Sequence, residues 1–354
     1  MSVITAPACT NALTTDNNAV SLLALTAQGL YCSQADLYID PWAAVDRAII
    51  THAHSDHARP GSKAYLCSTV CAPLLRMRLG EIQIETLAYG EALIHRGVKI
   101  SLHPAGHILG AAQVRLEYQG EVWVVSGDYK TEPDPTCAFF EPIRCHGFVS
   151  EATFGLPIYH WPAQTEVFAQ INQWWRANQA AGRASLLLGY ALGKAQRLLA
   201  GLDPDIGPIV CHGAVEQMNQ LYRAAGVALP ATRYSGDLGR DFAWSQALIV
   251  APPSAHGTTW SRRFGEVSAG MASGWMQIRG TRRRRSVDRG FVLSDHADWS
   301  GLLGAIAATG AEKIWVTHGY TAALARYLAE LGYDTSIVPT RFEGEHTSDD
   351  IGEA

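Results

Sequence analysis

The run Thr51-His52-Ala53-His54-Ser55-Asp56-His57 packs three imidazoles and one carboxylate into six consecutive positions. Imidazole nitrogen and carboxylate oxygen are ligands for zinc or manganese, and no thiolate is needed. The run follows Ala48-Ile49-Ile50, an apolar stretch that reads as a strand, so four short-armed ligands share one tight turn. An ordinary core would not bury so many unpaired polar groups. A solvated polar turn is the competing reading. It accounts less well for three further ligand types at the ends of other strand-like runs. His107 stands in Pro104-Ala105-Gly106-His107, Asp128 in Ser126-Gly127-Asp128-Tyr129, and His318 in Thr317-His318-Gly319. A carboxylate such as Asp128 can bridge two cations.

The elements that must carry these residues are short. Residues 22–26, 37–40, 47–51, 64–67, 82–86, 98–103, 113–118, 122–126 and 148–151 read as strands, several β-branched and closed by Gly, Pro or Asp. Residues 69–79 have a helical pattern. From 164 the pattern changes: helices at 164–180, 194–202 and 214–225 alternate with strand-like runs at 185–188, 209–211 and 247–251, which suggests a small α/β unit. Residues 255–267 are polar and carry no assignable pattern. A strand at 291–293, a helix at 299–308, a strand at 313–317 and a helix at 322–331 then return to the first style. This order implies one sandwich interrupted by an insertion.

The chain has 354 residues, 47% hydrophobic and 17% charged, which suits a folded protein with a sizeable core. Its net charge of -5 gives no global attraction to nucleic acid, so any such binding needs a local basic patch. Arg282, Arg283, Arg284 and Arg285 form the most basic stretch; it can grip a phosphate backbone or simply be a solvated loop. The seven cysteines are odd in number, irregular in spacing and lack a CxxC pair, which points to a reducing, cytoplasmic setting, with Cys67 and Cys71 as core. The first cationic side chain is Arg47, so the start lacks a signal-peptide n-region, and the apolar stretch at 19–30 is too short to span a membrane. Residues 1–18 read as a loose tail. Trp174 and Trp175 fall on an amphipathic helix, where Trp175 could stack a base, although core packing suits at least one of them. The run Gly189-Tyr190-Ala191-Leu192-Gly193-Lys194 is one residue short of a P-loop, and Ala195 replaces its Ser/Thr, so ATP binding is rejected.

The HxHxDH run, a glycine-flanked His107 and a strand-end Asp128 resemble the metallo-β-lactamase superfamily. That resemblance implies an α/β (α+β) fold, a four-layer αββα sandwich with two divalent metal ions at the sheet edge. Zinc is the expected metal, with manganese or magnesium as alternatives. His52, His54 and His107 would hold one ion, Asp56, His57 and His318 the other, and Asp128 both. Asp40, in Tyr38-Ile39-Asp40-Pro41, matches the carboxylate that orients a ligand histidine; a turn Asp before Pro is the plain alternative. Ser150-Glu151-Ala152-Thr153-Phe154-Gly155, Leu188-Gly189-Tyr190-Ala191-Leu192-Gly193-Lys194-Ala195-Gln196, Ser294-Asp295-His296-Ala297-Asp298 and Thr317-His318-Gly319 resemble the motifs of the β-CASP nucleases.

Within that group the likeness is greatest to the bacterial DNA ligase-associated exonucleases. Gly29-Leu30-Tyr31-Cys32, His57-Ala58-Arg59-Pro60-Gly61 and Ser273-Gly274-Trp275-Met276-Gln277-Ile278-Arg279-Gly280 carry it. The implied division is a flexible tail at 1–18, a metallo-β-lactamase domain at 19–155 and 287–340, an inserted β-CASP domain at 156–286 and a C-terminal tail at 341–354. The implied activity is a DNA exonuclease in repair, using a hydroxide activated by two metals. Partners would be DNA and, by resemblance, an ATP-dependent DNA ligase and a helicase, with no membrane. Asp56, Asp128, Glu151 and His296 are the expected catalytic residues. His296 would protonate the leaving oxygen and Glu151 would orient it, unless His296 is a phosphate-binding or structural residue. Lys194, Ser294 and the four arginines are candidate nucleic-acid contacts. His318 in the third motif is typical of RNA-processing members, so an RNA substrate is the alternative. A thioesterase or lactamase, or a catalytically dead scaffold, are further rivals that the insertion, the Glu151/His296 pair and the full ligand set disfavour.

Overall fold

A computed structural model describes residues 21–239, 241–278, 280 and 286–340. The tails expected at 1–18 and 341–354, and Arg282 to Arg285, lie outside the described residues. The architecture is mixed α/β, built on three sheets. The first sheet runs in chain order through β1 (Ala24–Thr26), β2 (Gly29–Cys32), β3 (Leu37–Ile39), β4 (Arg47–Ile49), β5 (Ala64–Ser68) and β6 (Ile84–Leu87). The second contains β7 (Ala92–His95), β8 (Val98–Pro104), β9 (Ala112–Tyr118), β10 (Glu121–Val125), β11 (Gly147–Ala152), β18 (Lys313–Gly319) and β19 (Asp334–Ile337), in the order 19-18-11-10-9-8-7.

The third sheet has the order 14-13-15-12-16-17. Its strands are β12 (Ala184–Leu188), β13 (Ile209–Cys211), β14 (Arg233–Tyr234), β15 (Leu248–Ala251), β16 (Val267–Ala272) and β17 (Arg289–Phe291). All its pairs are parallel. β12 and β15 are buried throughout, as continuous apolar runs such as ASLLL and LIVA require when both faces are covered. Helices α2 (Gln164–Ala180), α3 (Lys194–Ala200) and α4 (Gly213–Ala224) belong to this part, and α2 buries Ile171 and Trp175 against Leu187 and Leu248. The strand expected near 291 is β17, and it extends this third sheet through β16 rather than either sandwich sheet.

Residues of the first two sheets share one apolar cluster: Leu37, Ile39 and Ile49 with Ile100, Val114, Leu116 and Val125. On other faces, helix α1 (Ala72–Leu79) packs with Tyr65 and Cys67, and the helices Trp299–Thr309 and Thr321–Glu330 pack with Phe148, Ile314 and Val316. The edge that matters is fixed by strand direction. β3 pairs parallel with β4, and β10, β11 and β18 are mutually parallel. β8 and β10 are each antiparallel to β9, so β8 runs with β10. Within each sheet, the strand ends that carry candidate ligands therefore open on the same side. The two sheets are joined there, where the Ala112 N–H donates to Thr51 O at 2.8 Å.

Candidate metal centre

The loop after β4 is held from below before it presents a ligand. Asp40, just beyond β3, takes the Thr51 N–H at 2.8 Å on one oxygen and the Thr51 hydroxyl at 2.5 Å on the other. The second oxygen also accepts from His57 Nδ1 at 2.7 Å. Gly127, at φ +59°, lets the loop after β10 lie directly on Thr51; a Cβ there would come within 2.6 Å of the Thr51 hydroxyl. His318 is the bulged residue of β18: Glu151 pairs with Thr317 and Ala152 with Gly319, so His318 is passed over at φ +54°. A bulge re-aims its side chain, and the His318 ring stacks on His57 at 4.9 Å between centroids.

These elements bring His52, His54, His107 and Asp128 together as one group and Asp56, His57 and His318 as a second; within each group the ligand atoms lie within 4.8 Å of one another. His54 Nδ1 is 3.1 Å from His52 Nε2 and 3.1 Å from His107 Nε2. Nitrogens at about 2.0–2.1 Å around a tetrahedral ion would stand about 3.3 Å apart. Asp128 Oδ2 lies between the groups, 3.6 Å from His52 Nε2, 3.8 Å from His107 Nε2 and 3.4 Å from His57 Nε2.

The far nitrogens show which way the lone pairs point. His54 Nε2 meets Leu192 O at 3.2 Å and His107 Nδ1 meets Asp295 O at 2.9 Å. A carbonyl only accepts, so those nitrogens carry the proton and the inner ones present bare lone pairs. Two bare lone pairs at 3.1 Å repel unless something positive sits between them. His57 Nε2 and Asp128 Oδ1 are also buried with no hydrogen-bond partner. The cluster is thus able to bind metal ions, and its donors suit two divalent cations.

Electrostatics point the same way. Burial pulls the His52 and His107 imidazoles well below the ordinary histidine range, so they are neutral ligands at neutral pH. Burial also lowers His318. Burial acts on His57 too, but Asp128, Asp56 and Asp40 outweigh it and raise His57 well above that range. Burial pushes the Asp128 carboxyl up, and His57 overcomes this to hold it well below the carboxylate range. The second group thus favours a positive charge at its middle, a proton when nothing else supplies one.

Glu151 and His296 stand next to this cluster. His296 Nδ1 is 3.0 and 2.8 Å from the two Glu151 oxygens, and both residues are buried. Asp128, Glu151 and His296 themselves bring ligand-type atoms within 4.8 Å. The Tyr129 N–H donates to Glu151 Oε1 at 2.7 Å, which fixes the carboxylate from the other side.

Several expected contacts with nucleic acid fall elsewhere. Lys194 is fully buried, with Nζ 2.9 Å from Asp295 Oδ2, so it is committed to a carboxylate and cannot reach a phosphate. Ser294 is buried, and its hydroxyl accepts the His296 N–H at 3.1 Å. Trp174 and Trp175 are both core, their indole N–H groups donating to Ser268 and Gln246, which leaves neither ring for a base. Cys67 and Cys71 are buried and free, as a core role requires. Sequence reasoning missed Thr51, Leu192, Asp295 and Tyr129. Thr51 carried a signal as the residue abutting the histidine run, and Asp295 as the neighbour of His296 in its motif; Leu192 and Tyr129 act through backbone groups, which residue type does not reveal.

No helix of the described residues is long and apolar enough to cross a membrane. No family model matches the chain. A probable DNA ligase of Opitutus terrae is 30% identical over 313 residues, 87% of this chain and 30% of the relative. The endoribonuclease YSH1 of Saccharomyces cerevisiae is 31% identical over 123 residues, 34% of this chain and 16% of the relative. Cleavage and polyadenylation specificity factor subunit 3 of Dictyostelium discoideum is 30% identical over 125 residues, with the same coverage of 34% and 16%. The chain spans less than a third of the length of these relatives. A solved structure from Enterococcus faecalis V583, a protein of unknown function, shares the fold with TM-score 0.54 at 12% identity, covering 84% of this chain and 80% of that one. With the histidine run, the strand-end carboxylate and these relatives taken together, the chain belongs to the metallo-β-lactamase superfamily, in its β-CASP nuclease branch.

Proposed function

We propose that this protein is a metal-dependent nuclease that hydrolyses phosphodiester bonds, with DNA as its substrate and exonucleolytic repair as its role. The observation that carries the reading is the juxtaposition of the two ligand groups, joined at Asp128, with the buried Glu151–His296 pair. His52, His54 and His107 would hold one cation, Asp56, His57 and His318 the other, and Asp128 both; the N/O donor set suits zinc. When bound, the cations supply Lewis acidity that makes hydroxide available near neutral pH. His296 protonates the leaving oxygen. Glu151, held by the Tyr129 N–H, fixes the orientation of the His296 ring.

The sandwich is read as the four-layer αββα arrangement of the superfamily, at 19–155 and in the stretch up to 340, with a β-CASP insertion opening at 156; the return expected at 287 is moved past β17, which pairs with β16 in the third sheet. A cytoplasmic setting belongs to the same reading, and the free cysteines among the described residues support it. DNA is favoured because the relative that aligns with 87% of this chain is named a probable DNA ligase. The same name supports a functional link to an ATP-dependent ligase, and a helicase stays as an expectation from the resemblance. A second reading, an RNA-processing nuclease, is favoured by His318 and by the endoribonuclease names among shorter matches. Digestion of 5′- and 3′-labelled single- and double-stranded DNA and RNA, with zinc or manganese added, decides between them. The proposal expects DNA to be shortened from an end; consumption of RNA alone would replace it by the second reading.

A further inference from the structure

Lys194 and Arg197 open α3 on the third-sheet side, yet neither reaches solvent. Lys194 Nζ donates to Leu293 O at 3.0 Å and sits 2.9 Å from Asp295 Oδ2. Arg197 Nη1 is 3.2 Å from Asp295 Oδ1, Arg197 Nε is 3.2 Å from Asp134 Oδ2, and Arg197 also donates to Ser294 O. Two cations therefore grip both oxygens of one buried carboxylate. Burial pushes the Asp295 carboxyl up, but Lys194 and Arg197 outweigh it and keep it ionised.

What this carboxylate anchors is the metal centre. The Asp295 carbonyl accepts from His107 Nδ1 at 2.9 Å, and the next residue is His296, whose ring lies 4.7 Å from that of His107. Just before α3, Leu192 O meets His54 Nε2 at 3.2 Å. Gly193, at φ +89°, lies so close to Ile108 that a Cβ would come within 2.2 Å of its Cγ2. One segment, 192–197, thus reaches His54 directly and His107 through Asp295. Buried ion networks are weak contributors to stability, because apolar replacements are often as stable. Fixed geometry is what this one delivers.

We propose that Lys194 and Arg197 are positioning residues: they lock Asp295 so that its carbonyl sets the His107 ring and its peptide sets His296, which makes the third-sheet unit part of the metal centre. The proposal rests on the metal-centre reading above. Its test uses the full chain, comparing wild type, Lys194→Met, Lys194→Arg and the double variant Lys194→Met/Asp295→Asn. Zinc affinity is measured by chelator competition, folding by thermal unfolding of the metal-free protein, and cleavage as kcat and KM. Lys194→Met leaves a buried carboxylate half-paired, so both melting temperature and zinc affinity fall, the latter by about 10- to 100-fold for one of two equivalents. The double variant removes both charges and recovers the melting temperature, while zinc affinity and kcat stay low and KM is unchanged. Lys194→Arg, which folds with the charge retained, recovers part of the zinc affinity. Recovery of zinc affinity together with stability in the double variant overturns the proposal, as does wild-type zinc affinity in Lys194→Met. Should wild type bind zinc with this pattern among the variants but cleave no nucleic acid, positioning stands and the nuclease reading fails.

Discussion

The described residues hold two buried polar clusters side by side, and they are built in opposite ways. Around Asp295, cations meet carboxylates: Lys194 and Arg197 take both of its oxygens, and Arg197 reaches Asp134 as well. Around Asp128, lone pair faces lone pair: His52, His54 and His107 turn bare nitrogens towards each other, and His57 Nε2 and Asp128 Oδ1 find no hydrogen-bond partner. Unpaired polar atoms in a dry interior cost roughly 1–3 kcal/mol each; in the first cluster each carboxylate faces a cation, with Asp134 Oδ2 held by Arg197 as an ion pair alone, whereas in the second like faces like, which suits it to a guest cation. A dense knot of charge is therefore not by itself a site; the informative feature is the partner still owed.

The largest effect expected from breaking this contrast is at the bridging oxygen. Asp128→Ala should lower cleavage by on the order of 10⁴-fold, through loss of several kcal/mol of transition-state stabilisation, with circular dichroism unchanged. Measurable turnover at near wild-type rate would remove the bridge. Next comes the proton donor. His296→Ala should lower kcat by about 10²- to 10³-fold, while zinc content stays at the wild-type value. A parallel loss of zinc would instead make His296 a ligand, an option its proximity to Asp128 keeps concrete.

Smaller effects sharpen the contrast further. Asp40→Asn keeps the shape but weakens the acceptor behind His57, and should cost about 10- to 100-fold in metal affinity; an unchanged affinity would reduce Asp40 to a turn residue. The smallest effect is on the metal-free protein in mild acid. His52, His107 and His318 have folded-state pKa values below the unfolded value of 6.5, so the unfolded chain binds more protons as pH falls past that point. His57, raised, works in the opposite sense and is one against three. The melting temperature of the metal-free protein should therefore fall between about pH 7.5 and about pH 5.5, and zinc should raise it less at the acid end, where protons compete for the ligands. A melting temperature that rises on acidification would contradict these burial effects.

Much of the site was legible because its residue types are rare neighbours: HxHxDH announces itself, and His107, Asp128 and His318 each follow an apolar run. Strand direction then did the work that no local pattern contains. The residues at 107, 128, 151 and 318 lie on or just past strands of one sheet that run the same way, and the contact of Ala112 with Thr51 joins that sheet to the one that carries residue 40. Weakly patterned elements were illegible: β16, with the small residues VSAGMA, and the edge strand β19, whose polar DTSI is largely exposed. Lys194 misled for a physical reason. A lysine at a helix start reads as a phosphate contact, and only tertiary packing places Asp295 within 2.9 Å of it.

The central claim is that the cluster at Asp128 holds a pair of cations that the chemistry requires. It is tested most directly by stripping the protein with a chelator, titrating zinc back, and following bound metal and cleavage of end-labelled DNA in the same samples. The account predicts two equivalents of zinc per chain, no cleavage before they bind, and recovery that tracks their occupancy. A stripped protein that cuts as well as the untreated one, or that takes up no zinc, would contradict it.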